Sequence, residues 1–238
     1  MTSADGQPAI ELYGMASPNV RKITIMLAEI GQAYTFRHVD VFRGGQFEPD
    51  FEKLNPNRKV PVLVDRRASS DAPVVIFESA AILIYLAEQF RALLPGAEPA
   101  RSGVIQWLMI QACNMGPMLG QLNHFTFAAR DIDYAYDRYR REAERLYRLL
   151  DQRLEQSAYL GGEAYSIADI ATYPWALYLE RHGFEASRFP RLDAWRQRVG
   201  ARPAVIEGMQ AVEQAEAADA LAFEAATPED RDRFFGRR

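Results

Sequence analysis

The feature that most constrains this chain is a change of pattern near residue 95. Ahead of it, short β-like runs alternate with runs of helical spacing; beyond it, helical spacing alone is found. Ile10-Glu11-Leu12-Tyr13 reads as a strand, and residues 18–30 carry apolar side chains at helical intervals (Ile23, Met26, Leu27, Ile30) before Gly31 as a stop. Residues 34–39 predict a second strand, 49–54 a short helix, 60–64 and 74–77 two more strands, and 79–90 a helix. That order predicts a small mixed sheet with helices on its faces. Pro95, Gly96 and Pro99 then punctuate a linker, and residues 103–113, 134–156, 167–182 and 192–199 predict helices. Ser166-Ile167-Ala168-Asp169 is close to a capping box ahead of an apolar run. Three segments are expected: 8–93, 100–215 and a charged C-terminal tail over 216–238, helical or frayed.

Composition narrows the function classes. With 238 residues, 48% hydrophobic and 25% charged, the chain has enough apolar material for a proper core. A formal net charge of -4, with basic residues interspersed among acidic ones, gives no electrostatic reason to expect nucleic acid or an anionic membrane. No run of ~18 apolar residues is present, and residues 1–9 lack the apolar core of a signal peptide, so a cytoplasmic protein is expected. Cys113 is the single cysteine, so neither an intrachain disulfide nor a Cys-x-x-Cys relay can form. It lies in the apolar stretch 107–115 and is expected to be an inert core residue. His38, His124 and His182 lack metal-ligand spacing, and no metal is expected.

Three local features would converge at one end of such a sheet. Ser17-Pro18-Asn19 begins the first helix with Ser at the cap and Pro at the first helical position. It places a hydroxyl, an amide and backbone N–H groups at the positive helix end, where a thiolate is favoured; Ser17 also suits a plain cap. Val60-Pro61 opens the third strand after Asn55-Pro56-Asn57. A cis bond there would turn the Val60 N–H and C=O toward a peptide laid alongside, while the local sequence on its own favours an ordinary trans proline at a strand edge. Glu78-Ser79 starts the last helix of this half, where open N–H groups and a hydroxyl can bind a carboxylate and Glu78 an ammonium, or where Ser79 merely caps. Together they describe a site for a small peptide with an α-amino-acid end, a strand-like middle and a thiol. Glutathione fits that description.

The chain resembles the glutathione transferase superfamily, and within it the bacterial Nu-class disulfide-bond reductases and the related domain of a yeast nitrogen regulator and prion. The resemblance rests on Ser17-Pro18-Asn19-Val20-Arg21-Lys22, Gly44-Gly45-Gln46-Phe47, Asn55-Pro56-Asn57-Arg58-Lys59-Val60-Pro61 and Phe77-Glu78-Ser79. It continues through Gln106-Trp107, Gly116-Pro117-Met118-Leu119-Gly120-Gln121, His124-Phe125, residues 134–139 and Tyr165-Ser166-Ile167-Ala168-Asp169-Ile170. It implies a thioredoxin-like α/β N-terminal domain plus an all-α C-terminal helical bundle. It also implies a cis Val60-Pro61 bond, a catalytic role for Ser17 and Asn19, and glutathione binding by Gln46, Lys59, Val60, Pro61, Glu78, Ser79 and Arg138. The family hydroxyl ahead of Pro-Asn is usually Thr, so Ser17 departs from the pattern while keeping the donor.

The activity implied is reduction of a small-molecule disulfide or peroxide by glutathione, with two glutathione molecules per site in a homodimer. Conjugation of glutathione to an electrophile is the alternative, with Phe125, Tyr134 and Tyr136 able to line either kind of second pocket. A non-catalytic binding module is the third reading.

Overall fold

A computed structural model describes residues 8–67, 72–129 and 131–237; of the segments discussed above, residues 1–7 and Arg238 lie outside it. The four strands β1 (Ile10–Gly14), β2 (Thr35–His38), β3 (Val62–Asp65) and β4 (Val74–Phe77) form one sheet in the order β2-β1-β3-β4. β1 and β2 are parallel, in register Leu12 with Phe36, as the crossover through α1 (Pro18–Glu29) requires. β3 pairs antiparallel with both β1 and β4. α2 (Pro49–Leu54) precedes β3, and α3 (Ser79–Phe90) follows β4. This is a thioredoxin-like arrangement.

Its core is read from the pattern. Ile10 and Leu12 on β1, Val20, Ile23, Met26 and Leu27 on α1, Val62 to Val64 on β3, and Ile82 and Leu83 on α3 are all buried. A smaller cluster of Val39, Phe51 and Val62 has Tyr13, Val41, Leu54 and Val60 packed against it, which anchors the segment entering β3. Gly14 joins β1 to α1 where a Cβ would lie 2.8 Å from the Val20 side chain, so only glycine lets the helix start this close to the strand.

The chain divides into two compact units: residues up to Tyr85 together with Ala204 onward, and Leu86–Pro203. The first unit is therefore discontinuous in sequence. α9 (Pro203–Gln210), α10 (Glu213–Ala225) and α11 (Pro228–Phe235) belong with the sheet. Gly208 lies against α1 so closely that a Cβ would overlap the backbone of Ile25, and Thr24 Oγ1 donates to the Gly208 carbonyl at 2.6 Å. The residues read from sequence as a charged tail form helices, α11 beginning at a Thr227–Asp230 capping box.

The second unit contains α4 (Ala100–Ile110), a π-helical turn (Gln111–Met115), α5 (Gly116–Phe127), α6 (Asp133–Gln156), α7 (Ile167–Ala176) and α8 (Pro190–Gly200). α6 buries Ala143, Leu146, Tyr147 and Leu150, one stripe at helical spacing. Asp169 is the polar centre of this unit. Its carboxylate accepts from the Leu160 N–H, the Ser166 N–H and Oγ–H, and Trp195 Nε1, all at 2.9–3.0 Å.

The structure departs from the sequence pattern at two places. Cys113 is exposed rather than in the core. The π turn adds a residue to one helical turn, so Gln111 and Met115 face inward and Cys113 is rotated out. The helix expected over 167–182 ends at Ala176, beyond which the chain goes on in tighter turns, the Tyr178 N–H donating to the Trp175 carbonyl and the Leu179 N–H to the Ala176 carbonyl. Among the described residues no helix is long and apolar enough to cross a membrane.

Candidate functional site

One end of the sheet unit carries a polar pocket of about 210 Å³ lined by Asn19, Asn55, Asn57, Lys59, Val60, Pro61, Glu78 and Ser79. Three separate segments of sequence meet there: the start of α1, the turn leading into β3, and the β4–α3 junction. Ser17 is the N-cap of α1, its Oγ accepting from the Val20 N–H at 3.4 Å, with Pro18 in the first turn. Its own O–H remains a donor. Asn19, two residues on, reaches the pocket wall.

The turn before β3 is held by Asn55, which is buried. Its Nδ2 donates to the Lys59 carbonyl at 2.7 Å, and its Oδ1 accepts from the Asn57 N–H at 2.9 Å. The Val60-Pro61 bond is cis. At the third segment Glu78 has φ of 68°, in the left-handed region that a non-glycine residue occupies at a cost of about 1–3 kcal/mol. Asn57 Nδ2 donates to Glu78 Oε1 at 3.3 Å, joining the second and third segments.

Lys22 lies below the pocket. Its side chain is 2% exposed, and Nζ donates to Ser79 Oγ at 3.2 Å. Burial lowers its pKa to about 7, with the Glu78 carboxylate pulling in the opposite direction.

The C-terminal helices brace the loops around this site. Asp219 of α10 accepts from the Ala16 N–H at 2.8 Å, immediately before Ser17, and its other oxygen pairs with His38 Nε2 at 2.8 Å. Arg21 pairs with Glu216. Phe42 packs on Phe223 and Phe234, at 5.2 and 4.7 Å between ring centroids. Gln46 stands in the short turn Gly45–Phe47 of the same loop; it is buried, and its Oε1 has no hydrogen-bond partner among the described residues.

Of the residues singled out from sequence, Asn19, Lys59, Val60, Pro61, Glu78 and Ser79 are therefore brought together. Ser17 and Gln46 are in the same unit but do not line that pocket, and Arg138 is an exposed residue of α6 in the helical unit. Lys22 and Asp219 were not singled out. Lys22 stands one helical turn after Asn19, a spacing that places both on one side of α1, whereas nothing local marks Asp219.

A thioredoxin-like sheet with a polar pocket at the first helix, alongside an all-helical unit, defines a class. The sequence matches the glutathione S-transferase N-terminal domain over residues 16–89 and the C-terminal domain over residues 118–203. It is 44% identical over 197 residues to the disulfide-bond oxidoreductase YfcG of Escherichia coli, covering 82% of this chain and 92% of that protein. Among solved structures it is similar to a glutathione transferase family member from Pseudomonas fluorescens with two glutathione bound. The TM-score is 0.79 at 40% identity, covering 85% of this chain and 92% of the other. A glutathione transferase from Burkholderia graminis, with two glutathione molecules bound per subunit, gives 0.80 at 37% identity, with 89% and 91% covered. The chain belongs to the glutathione S-transferase superfamily.

Proposed function

We propose that this chain is a glutathione-dependent disulfide-bond oxidoreductase in which bound glutathione, rather than a protein cysteine, supplies the electrons. The observation carrying this reading is the pocket in which Asn19, at the positive end of α1, faces the same space as Val60 and the Glu78–Ser79 pair. Glu78 and Ser79 would hold the γ-glutamyl group, Val60 the cysteinyl backbone, and Ser17 and Asn19 the thiolate. Lys59 and Gln46 would hold the remaining length of the peptide, the buried Oε1 of Gln46 accepting from a ligand donor. Arg138 would bind a glutathione carboxylate. The disulfide-bond oxidoreductase related at 44% identity and a relative holding two glutathione molecules per subunit support the glutathione-dependent activity.

The reaction balances with two glutathione molecules. The first thiolate attacks one sulfur of the substrate disulfide, forms a mixed disulfide and releases one substrate thiolate. The second attacks the glutathione sulfur of the mixed disulfide, giving glutathione disulfide and releasing the other substrate thiolate. Each leaving thiolate takes up the proton that a glutathione thiol lost on activation. The protein's part is to hold the attacking sulfur ionised, since the helix end and neighbouring donors lower a thiol pKa from ~8.5 toward or below neutrality. A homodimer belongs to this proposal, and sedimentation analysis would test it.

Glutathione-dependent reduction of 2-hydroxyethyl disulfide, coupled to glutathione reductase, is the test. Wild type should turn over, and Ser17→Ala and Asn19→Ala should each lower kcat, Asn19→Ala by about 10–100-fold. Bound glutathione without turnover would overturn the reading. So would turnover of 1-chloro-2,4-dinitrobenzene far above that of the disulfide.

A further inference from the structure

We propose that Lys22 is the specificity-determining cation for the α-carboxylate of the γ-glutamyl group, acting through the Ser79 hydroxyl. The proposal rests on the assignment of Glu78 and Ser79 to that group.

An ammonium taken out of water is costly unless it is hydrogen-bonded and electrically compensated. Lys22 is 2% exposed, in α1, and its Nζ reaches across to Ser79 at the start of α3, 57 residues on in the chain. Ser79 is itself part of the pocket wall, so the charge lies one hydroxyl behind the pocket surface.

The direction of that hydrogen bond matters. When Lys22 is protonated its ammonium only donates, so Ser79 Oγ is then the acceptor and sends its own proton elsewhere. A hydroxyl that accepts from a cation becomes a stronger donor, because bonds in a chain polarise one another. Ser79 therefore offers the pocket a polarised O–H, suited to an anion. Glu78, the adjacent residue, lines the same pocket and acts on Lys22 electrostatically.

The subsite thus has a buried positive charge behind the Ser79 hydroxyl and a negative charge on the adjacent Glu78. Its complement is a zwitterion: an α-carboxylate against Ser79 and Lys22, and an α-ammonium against Glu78. An L-α-amino-acid head joined through its side chain carries both groups on one carbon. A peptide with only one of them forgoes one of the two charge-assisted contacts.

Binding by isothermal titration calorimetry separates these roles, with three thiol peptides. They are glutathione, 4-aminobutanoyl-Cys-Gly (no α-carboxylate) and glutaryl-Cys-Gly (no α-ammonium). Wild type should bind glutathione at least about tenfold more tightly than either analogue, the range for one charge-assisted hydrogen bond. In Lys22→Met, glutathione should weaken by about tenfold and the preference over 4-aminobutanoyl-Cys-Gly should fall toward unity. The preference over glutaryl-Cys-Gly should persist, because it belongs to Glu78. Lys22→Gln serves as a second neutral variant if the thioether packs poorly.

A variant that folds and keeps the wild-type preference for the carboxylate would overturn the role of Lys22 alone. Wild type binding all three peptides equally would overturn the Glu78–Ser79 assignment, and the role of Lys22 with it.

Discussion

The two units each bury a charged side chain and use it differently. In the helical unit Asp169 accepts four hydrogen bonds from Leu160, Ser166 and Trp195, within a closed network that fastens the start of α7 to α8. Burial still raises its pKa against those bonds. In the sheet unit Lys22 is as deeply buried, but it is bonded to a residue of a pocket wall and compensated in part by another. The first charge is enclosed by donors of its own fold, whereas the second stands behind the wall of a polar cavity, the setting in which perturbed groups cluster at functional sites.

The sharpest way to break this contrast is Asp169→Ala. It should cost about 3–5 kcal/mol in urea unfolding, because several buried donors lose their acceptor together. A loss below 1 kcal/mol would mean that the network is dispensable.

Glu78→Ala should act on the ligand instead. The KM for glutathione should rise by about 30-fold or more, equivalent to ~2 kcal/mol, with a smaller change in kcat. A fall in kcat at constant KM would move Glu78 from binding into the chemical step.

The pH dependence sharpens the comparison further. Because the folded-state pKa of Lys22 is depressed to about 7 from 10.5, the unfolded chain binds more protons above neutrality. This group's contribution to unfolding free energy therefore rises with pH, beginning near 7 and ending near 10.5. Wild type measured against Lys22→Met should gain about 2 kcal/mol between pH 7 and 9. A flat difference would show that the ammonium is paired well enough to keep its ordinary pKa.

The smallest effect is expected at Asp219. Asp219→Ala removes the acceptor for the Ala16 N–H and the partner of His38, and should lower stability by about 1 kcal/mol. Turnover should drop severalfold while the KM for glutathione changes little, as expected of a group that positions the start of α1. Unchanged turnover would confine Asp219 to folding.

How much of this was legible follows from the range of each interaction. The sheet, the Ser17–Pro18 helix start and the pocket residues of three separate segments were readable because strands, caps and turns are written over a few residues. Lys22 shares a side of α1 with Asn19, but its contact with Ser79, 57 residues on, exists only after the sheet forms. Cys113 was misplaced because helical periodicity carries no warning of a π turn. The role of Asp219 was invisible for a similar reason, its partner at Ala16 lying 203 residues away.

The discontinuity of the sheet unit has a consequence for biosynthesis. A ribosome releases the strands and the first helix early, but Gly208 and Asp219, which pack on that helix and secure the loop ahead of it, emerge only after the whole helical unit. Early in translation the start of α1 is thus unsupported, and the nascent polypeptide completes the frame around the pocket only when α10 docks.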